Sequence, residues 1–462
     1  MPGLLESARS FSSDRLLRRV VRNSTYLFAS NVISAVLTIA TAGLLGVKGF
    51  GALGIITNFV SNVNRLLSFR MGDVVVKYMG ESLAQARPDS QERAAAVVKA
   101  AGLVEGLTSL AAFGILALLT PLGATYIAKD ASLAPLFLLF GVSILANVTT
   151  ETATGVLQVT GHFRSQALIN LAQSVLVAVL IVLAALRGGG LPGSPGSLVE
   201  VLWAYLAGKV VLGLGPILVA LYWLPQSLGK NWWRAPFSLL PPWKEFLWFG
   251  GNTNLSGTIN VFARDSEVQW VGYFFGLEVV GYYKTALALI NLVVMPINPF
   301  ISTTYPEITK AFAARQFQRL RDLLRRVTII AAGWTGVVAV GILLFGQQLL
   351  FSNWTFFGRS FHLYRPEYLP AYPILLVLMV GFGAANILFW NRPLLLAQGL
   401  ASYALKVSFV GMVLKIILVF LFLPRAGYLA EAWILSGYFI LTVGWMVWRG
   451  LDGLRRAEAA RV

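Results

Sequence analysis

The chain has 462 residues, of which 57% are hydrophobic and only 12% charged, against about 25% charged in a soluble domain. So few charges cannot cover a soluble surface of that size, so the composition excludes a soluble globular protein and points to a polytopic membrane protein. The formal charge of +17 would suggest nucleic acid on a soluble chain, but on a membrane chain Lys and Arg collect in cytoplasmic loops. No nucleic-acid partner is therefore expected. The lack of cysteine excludes disulfides and thiolate metal sites, and two histidines, His162 and His362, exclude a histidine-rich metal centre.

Residues 1–23 lack the apolar core of a signal peptide and read as a basic cytoplasmic segment, "RLLRRVVRN". A spanning helix needs about 20 mostly apolar residues. About twelve segments qualify: 24–46, 50–77, 94–119, 132–159, 165–186, 198–223, 244–272, 278–303, 327–350, 369–393, 402–423 and 427–448. "RGGGLPGSPGS" (187–197) is a loop with turn chemistry. Residues 224–243, within the polar interruption 224–245, form the cytoplasmic linker between a first unit, 24–223, and a second, 244–448. Residues 449–462 are a basic cytoplasmic tail.

The short segments on the side of the N-terminus hold most of the Lys and Arg outside the spans. The opposite side holds only Lys48, Lys129, Arg187, Arg359, Arg365 and Arg425, which places both termini in the cytoplasm. "PEITKAFAARQFQRLRDLLRR" (306–326) reads as one basic amphipathic helix on anionic headgroups. "GVKGFGALGIITNFVS" (46–61) aligns without gaps to "GLEVVGYYKTALALIN" (276–291), with Gly46 on Gly276 and Gly51 on Gly281. Gly161 falls on Gly399 in a second, weaker match. Two matches in the same order indicate a six-plus-six duplication, its halves related by an axis along the membrane normal.

Several spans carry polar stripes. At 100° per residue, Asn58, Asn62, Arg65, Arg70, Asp73 and Lys77 share one face of the second span. An intramembrane Arg, Lys or Asp costs roughly 2.5–3.5 kcal/mol, so such a face meets water or protein. Arg70, Asp73 and Lys77 lie near the end of the span and read equally as snorkelling anchors. Asn31, Ser34, Thr38 and Thr41 line the first span, and Asn147, Thr150, Glu151, Thr154 and Gln158 the fourth. The seventh carries Thr253, Asn260, Arg264 and Glu267 with Asp265 beside them, and the eighth Lys284, Asn291 and Asn298 with Pro296 and Pro299. Interhelical hydrogen bonding accounts for a lone Ser/Thr/Asn stripe. Several stripes together favour one water-filled cavity lined by Asn31, Asn58, Asn62, Asn147, Asn260 and Asn291. Arg65, Arg70, Lys77, Arg264 and Lys284 would make it cationic, suited to an anionic cargo with phosphate oxygens. Glu151, Asp265 and Glu267 are candidates to carry a coupling proton or sodium ion, with Glu105 a neutralising neighbour. Arg264 and Glu267 read equally as a structural i, i+3 pair.

"GVKGFGALGIITNFVSNVNRLL" and "RDSEVQWVGYFFGLEVVGYYKTALALINLVVMPINPFISTTYPEITK" resemble the polysaccharide flippases of the Wzx type, within the multidrug/oligosaccharidyl-lipid/polysaccharide exporters. The resemblance is diffuse but covers nearly the whole chain. It implies an all-α polytopic protein whose two pseudo-symmetric six-helix bundles form a V around a central cavity. It also implies transport of an undecaprenyl-diphosphate-linked oligosaccharide to the outer leaflet, coupled to protons or sodium and with no other cofactor. The implied setting is a prokaryotic cytoplasmic membrane, with membrane lipids and polysaccharide polymerase or assembly proteins as partners of a monomer. The loop 351–370 is longer than the family pattern.

Three rivals remain. A multidrug antiporter of the same superfamily often uses a carboxylate in its first span, and none lies between Asn23 and Lys48. A lipid II flippase typically has fourteen spans. A membrane glycosyltransferase needs a carboxylate base on the first outer loop, where "GVKG" has none. No catalytic constellation is visible, so no enzyme is expected.

Overall fold

The computed structural model describes residues 15–85, 87–187, 195–356 and 359–459. The outer residues of the N-terminal segment, Arg9 among them, most of the loop 187–197 and the last residues of the tail lie outside the described residues. The first bundle comprises α1 (Arg15–Leu67), α2 (Gly72–Ala84), α3 (Ser90–Leu122), α4 (Ala134–Ala146), α5 (Thr150–Val159), α6 (Phe163–Arg187) and α7 (Pro195–Leu228). The second comprises α8 (Trp243–Arg264), α9 (Glu267–Phe275), α10 (Leu277–Val294), α11 (Asn298–Ala313), α12 (Phe317–Phe351), α13 (Ala371–Ile387), α14 (Asn391–Ala397), α15 (Ala401–Ala426) and α16 (Leu429–Ala459).

Among the described residues ten stretches are long and apolar enough to cross a membrane. They differ from the sequence spans in two places. The first and second spans are one helix, α1, bent at Gly46. The seventh corresponds to α8, which is too polar to be among the ten, and α9, which has only nine residues.

The repeat read from the sequence has a structural counterpart. Gly46 (φ 63°, ψ 177°) and Gly276 (φ 87°, ψ −174°) both turn the chain through a conformation that a side chain disfavours. Their successors make the contact between bundles, and the contact is reciprocal. A Cβ on Gly51 would lie 1.9 Å from the Leu277 carbonyl oxygen, and one on Gly281 would lie 2.2 Å from that of Val47. Val47 aligns with Leu277, so each half supplies the same glycine and the same carbonyl. Gly161 and Gly399 also match, at φ 77° and 74°. The amide following each closes the same turn, His162 to Leu157 O and Leu400 to Leu395 O.

Helix α1 against α10 is the most extensive helix–helix contact among the described residues, and α1 also meets α8 and α9. One apolar core runs across this seam from Phe50 and Ile56 to Tyr283 and Ile290, and each bundle has a further core of its own.

Five predicted spans are interrupted: at 68–71, 147–149, 265–266, 295–297 and 388–390. The break at 295–297 falls where Pro296 removes a backbone donor. The break at 68–71 corrects the sequence reading. It resets the helical phase, so the stripe angles that tied Arg70, Asp73 and Lys77 to Arg65 do not hold across it. The predicted helix 306–326 is two helices, α11 and α12, parted by a turn at 314–316 in which Arg315 has φ 55°.

The loop 351–370 holds the only strands among the described residues, a short hairpin β1 (Trp354–Phe356) and β2 (Arg359–Phe361) with Trp354 opposite Phe361. Beyond it Tyr364 and Tyr368 are buried, and the Tyr368 hydroxyl donates to Ala42 O at 2.8 Å. The linker after α7 packs on the first bundle: Lys99 donates to Ala235 O and sits 4.0 Å from the Phe237 ring centroid.

Candidate functional site

The interruptions of α1/α2, α4/α5 and α8/α9 bring polar groups together where the bundles meet. Leu67 ends α1, and the next residues expose backbone groups that side chains satisfy. The Ser68 and Ser109 hydroxyls lie 2.7 Å apart, and Phe69 N–H donates to Thr108 Oγ1 at 3.0 Å. Arg70 N–H donates to Asn254 Oδ1 at 2.9 Å, across the seam. At the α4/α5 break, Glu105 is buried, and its carboxylate accepts from the amides of Glu151 (2.9 Å) and Thr152 (2.8 Å) and from the Thr152 hydroxyl (2.6 Å). It therefore caps the start of α5 from α3, a negative group at a helix N-terminus.

Two cations nominated from the sequence carry partners. Arg65 Nη1 lies 2.6 Å from Asp265 Oδ2 on the opposite bundle. Asn62 strengthens that link by donating to Asp265 O at 2.9 Å, and Gln269 donates to Asn58 Oδ1 at 3.1 Å. Arg70 Nε donates to Glu151 Oε1 at 2.9 Å. It thus pairs with Glu151, and not with Asp73 from the same predicted stripe.

These groups wall two cavities. One, of ≈100 Å³, lies between bundles and is lined by Arg65, Arg70, Gly72, Asp73, Glu151, Asn254 and Gly257. The other, of ≈240 Å³, lies in the first bundle, with Asn64, Arg65, Arg70, Glu105, Asn147, Glu151 and Lys209 in its walls.

The remaining candidates sit elsewhere. Lys77 lines neither cavity; its Nζ lies 4.7 and 4.3 Å from the ring centroids of Tyr78 and Phe249. Lys284 Nζ lies 4.4 Å from the Phe50 ring centroid, beside Gly54. Asn31 and Asn291 are exposed and Asn260 is half-buried. The first-span stripe works partly as interhelical glue: the Ser30 and Ser34 hydroxyls lie 2.7 and 3.2 Å from that of Ser174.

Glu267 is 2% exposed and faces away from the cavities. Lys415 Nζ lies 2.6 Å from its Oε1 and 3.2 Å from Glu431 Oε1, making a buried triad across α9, α15 and α16. The i, i+3 pair of Arg264 with Glu267 is therefore not formed. Arg264 is exposed and has no carboxylate partner among the described residues. Arg392, which donates to Ser256 Oγ at 3.3 Å, has none either.

The sequence reading passed over Lys209, Arg392, Lys415 and Glu431. The signal was available for Lys209 and Lys415, cations well inside mostly apolar spans and subject to the same cost that singled out Arg65.

The sequence matches the polysaccharide biosynthesis protein family over residues 17–312, more than half of the chain. The chain belongs to that family. It is 22% identical over 356 residues to the inner membrane protein YghQ of Escherichia coli (strain K12), covering 73% of this chain and 93% of that protein. It is 24% identical over 258 residues to the teichuronic acid biosynthesis protein TuaB of Bacillus subtilis (strain 168), covering 52% and 50%. Two solved structures share the fold. The lipid II flippase MurJ in an inward closed conformation aligns with a TM-score of 0.70 at 15% identity, over 95% of this chain and 90% of that one. An inward-facing multidrug MATE transporter of the MOP superfamily aligns with a TM-score of 0.68 at 14% identity, over 94% and 96%. The chain is thus a multi-pass membrane protein of a polysaccharide biosynthesis family with a MATE- and MurJ-like helical fold.

Proposed function

We propose that this family member is a flippase that moves a polyprenyl-diphosphate-linked oligosaccharide from the cytoplasmic to the outer leaflet, and that it is a carrier and not an enzyme. The observation that carries this reading is the arginine-lined space at the seam. Guanidinium groups match phosphate oxygens in two-point contact. In a span they are costly without an anion to meet, and here they stand where helix breaks keep the backbone polar. In this reading both termini and residues 306–326 face the cytoplasm, the monomer works by alternating access, and the glycan goes on to a polymerase or assembly partner outside.

The coupling ion, a proton or sodium, acts through Glu151, Asp265 or Glu267. Each carboxylate is tied to a cation, so neutralising it changes which cations are free. Glu151→Gln, Asp265→Asn and Glu267→Gln, tested separately in proteoliposomes, should between them remove gradient dependence. Full dependence in all three sinks the assignment.

The deciding experiment is transport by Arg65→Ala and Arg264→Ala. Both should reach the membrane at normal abundance yet fail to move the lipid-linked oligosaccharide. Arg65→Lys should also fail, since a point charge does not replace a fork. Wild-type rates in both alanine variants would overturn the mechanism. Efflux of a cationic dye by the wild-type chain would favour the antiporter reading. For topology, a single cysteine at position 318 should resist an impermeant maleimide added outside intact cells.

A further inference from the structure

We infer that the cavity inside the first bundle is a subsite for one phosphate group and that Lys209 on α7 is the residue that holds it. This rests on the flippase reading and deepens it, since neither the sequence pattern nor the family match assigns Lys209 a role.

The ≈240 Å³ cavity is walled by three cations, Arg65, Arg70 and Lys209, and two carboxylates, Glu105 and Glu151. Glu105 is taken up by its three donors on α5. Glu151 is taken up by Arg70. Arg65 is answered from the other bundle by Asp265, at 2.6 Å. Lys209 makes no ion pair or hydrogen bond among the described residues. An ammonium with no partner inside a span is expensive, and the two carboxylates in the cavity wall are already engaged by other donors. Asn64 Oδ1 is a second unanswered group in the same wall, a buried acceptor with no donor.

An anion next to Lys209 and a hydroxyl next to Asn64 would satisfy both. Each phosphate of a diphosphate diester carries one negative charge, which a single ammonium answers as a point charge, and the sugar attached to it supplies hydroxyls. The site therefore takes a phosphate with its first sugar. A phosphate at Lys209 also lies beside Arg65 and competes with Asp265 for it, so loading the first bundle loosens its tie to the second.

The absence of cysteine makes the test clean. Ser61 lines the same cavity, so Ser61→Cys in the full-length chain, purified into nanodiscs, reports occupancy through its rate of reaction with a small methanethiosulfonate. Inorganic pyrophosphate should slow that reaction at least tenfold. The protection should vanish with Lys209→Gln and survive Lys209→Arg, while Lys230→Gln, a charge lost from the linker, should leave it intact. Unchanged labelling with pyrophosphate, equal protection in Lys209→Gln, or protection by a neutral hexose alone would each overturn the subsite. Should Lys209→Gln fail to reach the membrane, the pyrophosphate and hexose arms on the Lys209 chain still decide. Transport by the wild-type chain separates the two claims. Protection that depends on Lys209 without movement of lipid-linked oligosaccharide overturns the flippase reading and keeps the subsite. Transport without protection does the reverse.

Discussion

The main charged clusters of the two bundles differ in their access to water. In the first, Arg65, Arg70 and Glu151 are between a third and a half exposed and border open cavities, although Arg65 and Arg70 have carboxylate partners. In the second, Lys415, Glu267 and Glu431 are 2% exposed or less and border neither cavity. Charges that can reach water exchange partners at small cost, because an exposed ion pair contributes about 0–1 kcal/mol. Charges in a dry triad do not exchange so freely, since removing one partner leaves the others buried and unanswered. The first bundle is thus suited to meeting a ligand, and the triad to fixing how α9, α15 and α16 pack. Glu267 stands two residues from Asp265, which reaches across to Arg65, so the rigid group anchors the exchangeable one.

The sharpest way to break this contrast is Lys415→Met. It leaves two facing carboxylates without their cation, and the expected destabilisation is about 3–5 kcal/mol, read as a fall in Tm and membrane abundance. Combining it with Glu267→Gln and Glu431→Gln should recover much of that loss, because replacing a whole buried ionic group is often close to neutral. A triple variant as unstable as the single one would show that the triad does more than neutralise itself.

Next in size is Gly281→Ala. Its Cβ meets the Val47 backbone, which cannot move aside, so the bundles must separate at about 1–3 kcal/mol. Gly51→Ala should behave alike, as the reciprocal contact requires, and markedly unequal losses would break the symmetry.

Asp265→Asn should change stability by no more than about 1 kcal/mol, yet raise the fraction of molecules with the bundles apart. Spin labels on α2 and α8 would read that shift, and an unchanged distance distribution would show that Asp265 is not a tie.

The baseline is a half-exposed pair at the start of α3. The Asp89 carboxylate is 2.5 Å from Arg93, whose hydrogen bond holds its pKa below the usual value. Any stability it contributes is present above the unfolded pKa and fades as pH falls through the folded one. At pH 7 Asp89→Asn should barely move Tm, well below the shift from Lys415→Met.

The sequence by itself determined the class and the plan of the molecule. Hydropathy over some twenty residues marks a span wherever a bilayer must be crossed. Repeated glycines mark the points where the chain turns, as at Gly46 and Gly276, or where backbone approaches backbone, as at Gly51 and Gly281, and all four were legible as a repeat. The cost of an intramembrane charge made Arg65 and Glu267 visible as residues that need an explanation. Only the tertiary structure decided the partners. Periodicity assumes one unbroken helix, so it could not see that the break at 68–71 separates Arg65 from Arg70, or that Glu267 turns away from Arg264 toward Lys415. Pairing depends on which helices are neighbours, and Arg65 with Asp265 or Lys415 with Glu431 are brought together by packing between segments far apart in the chain. Which cations remain unpaired, Lys209 above all, follows only once every other charge has been given its partner in space.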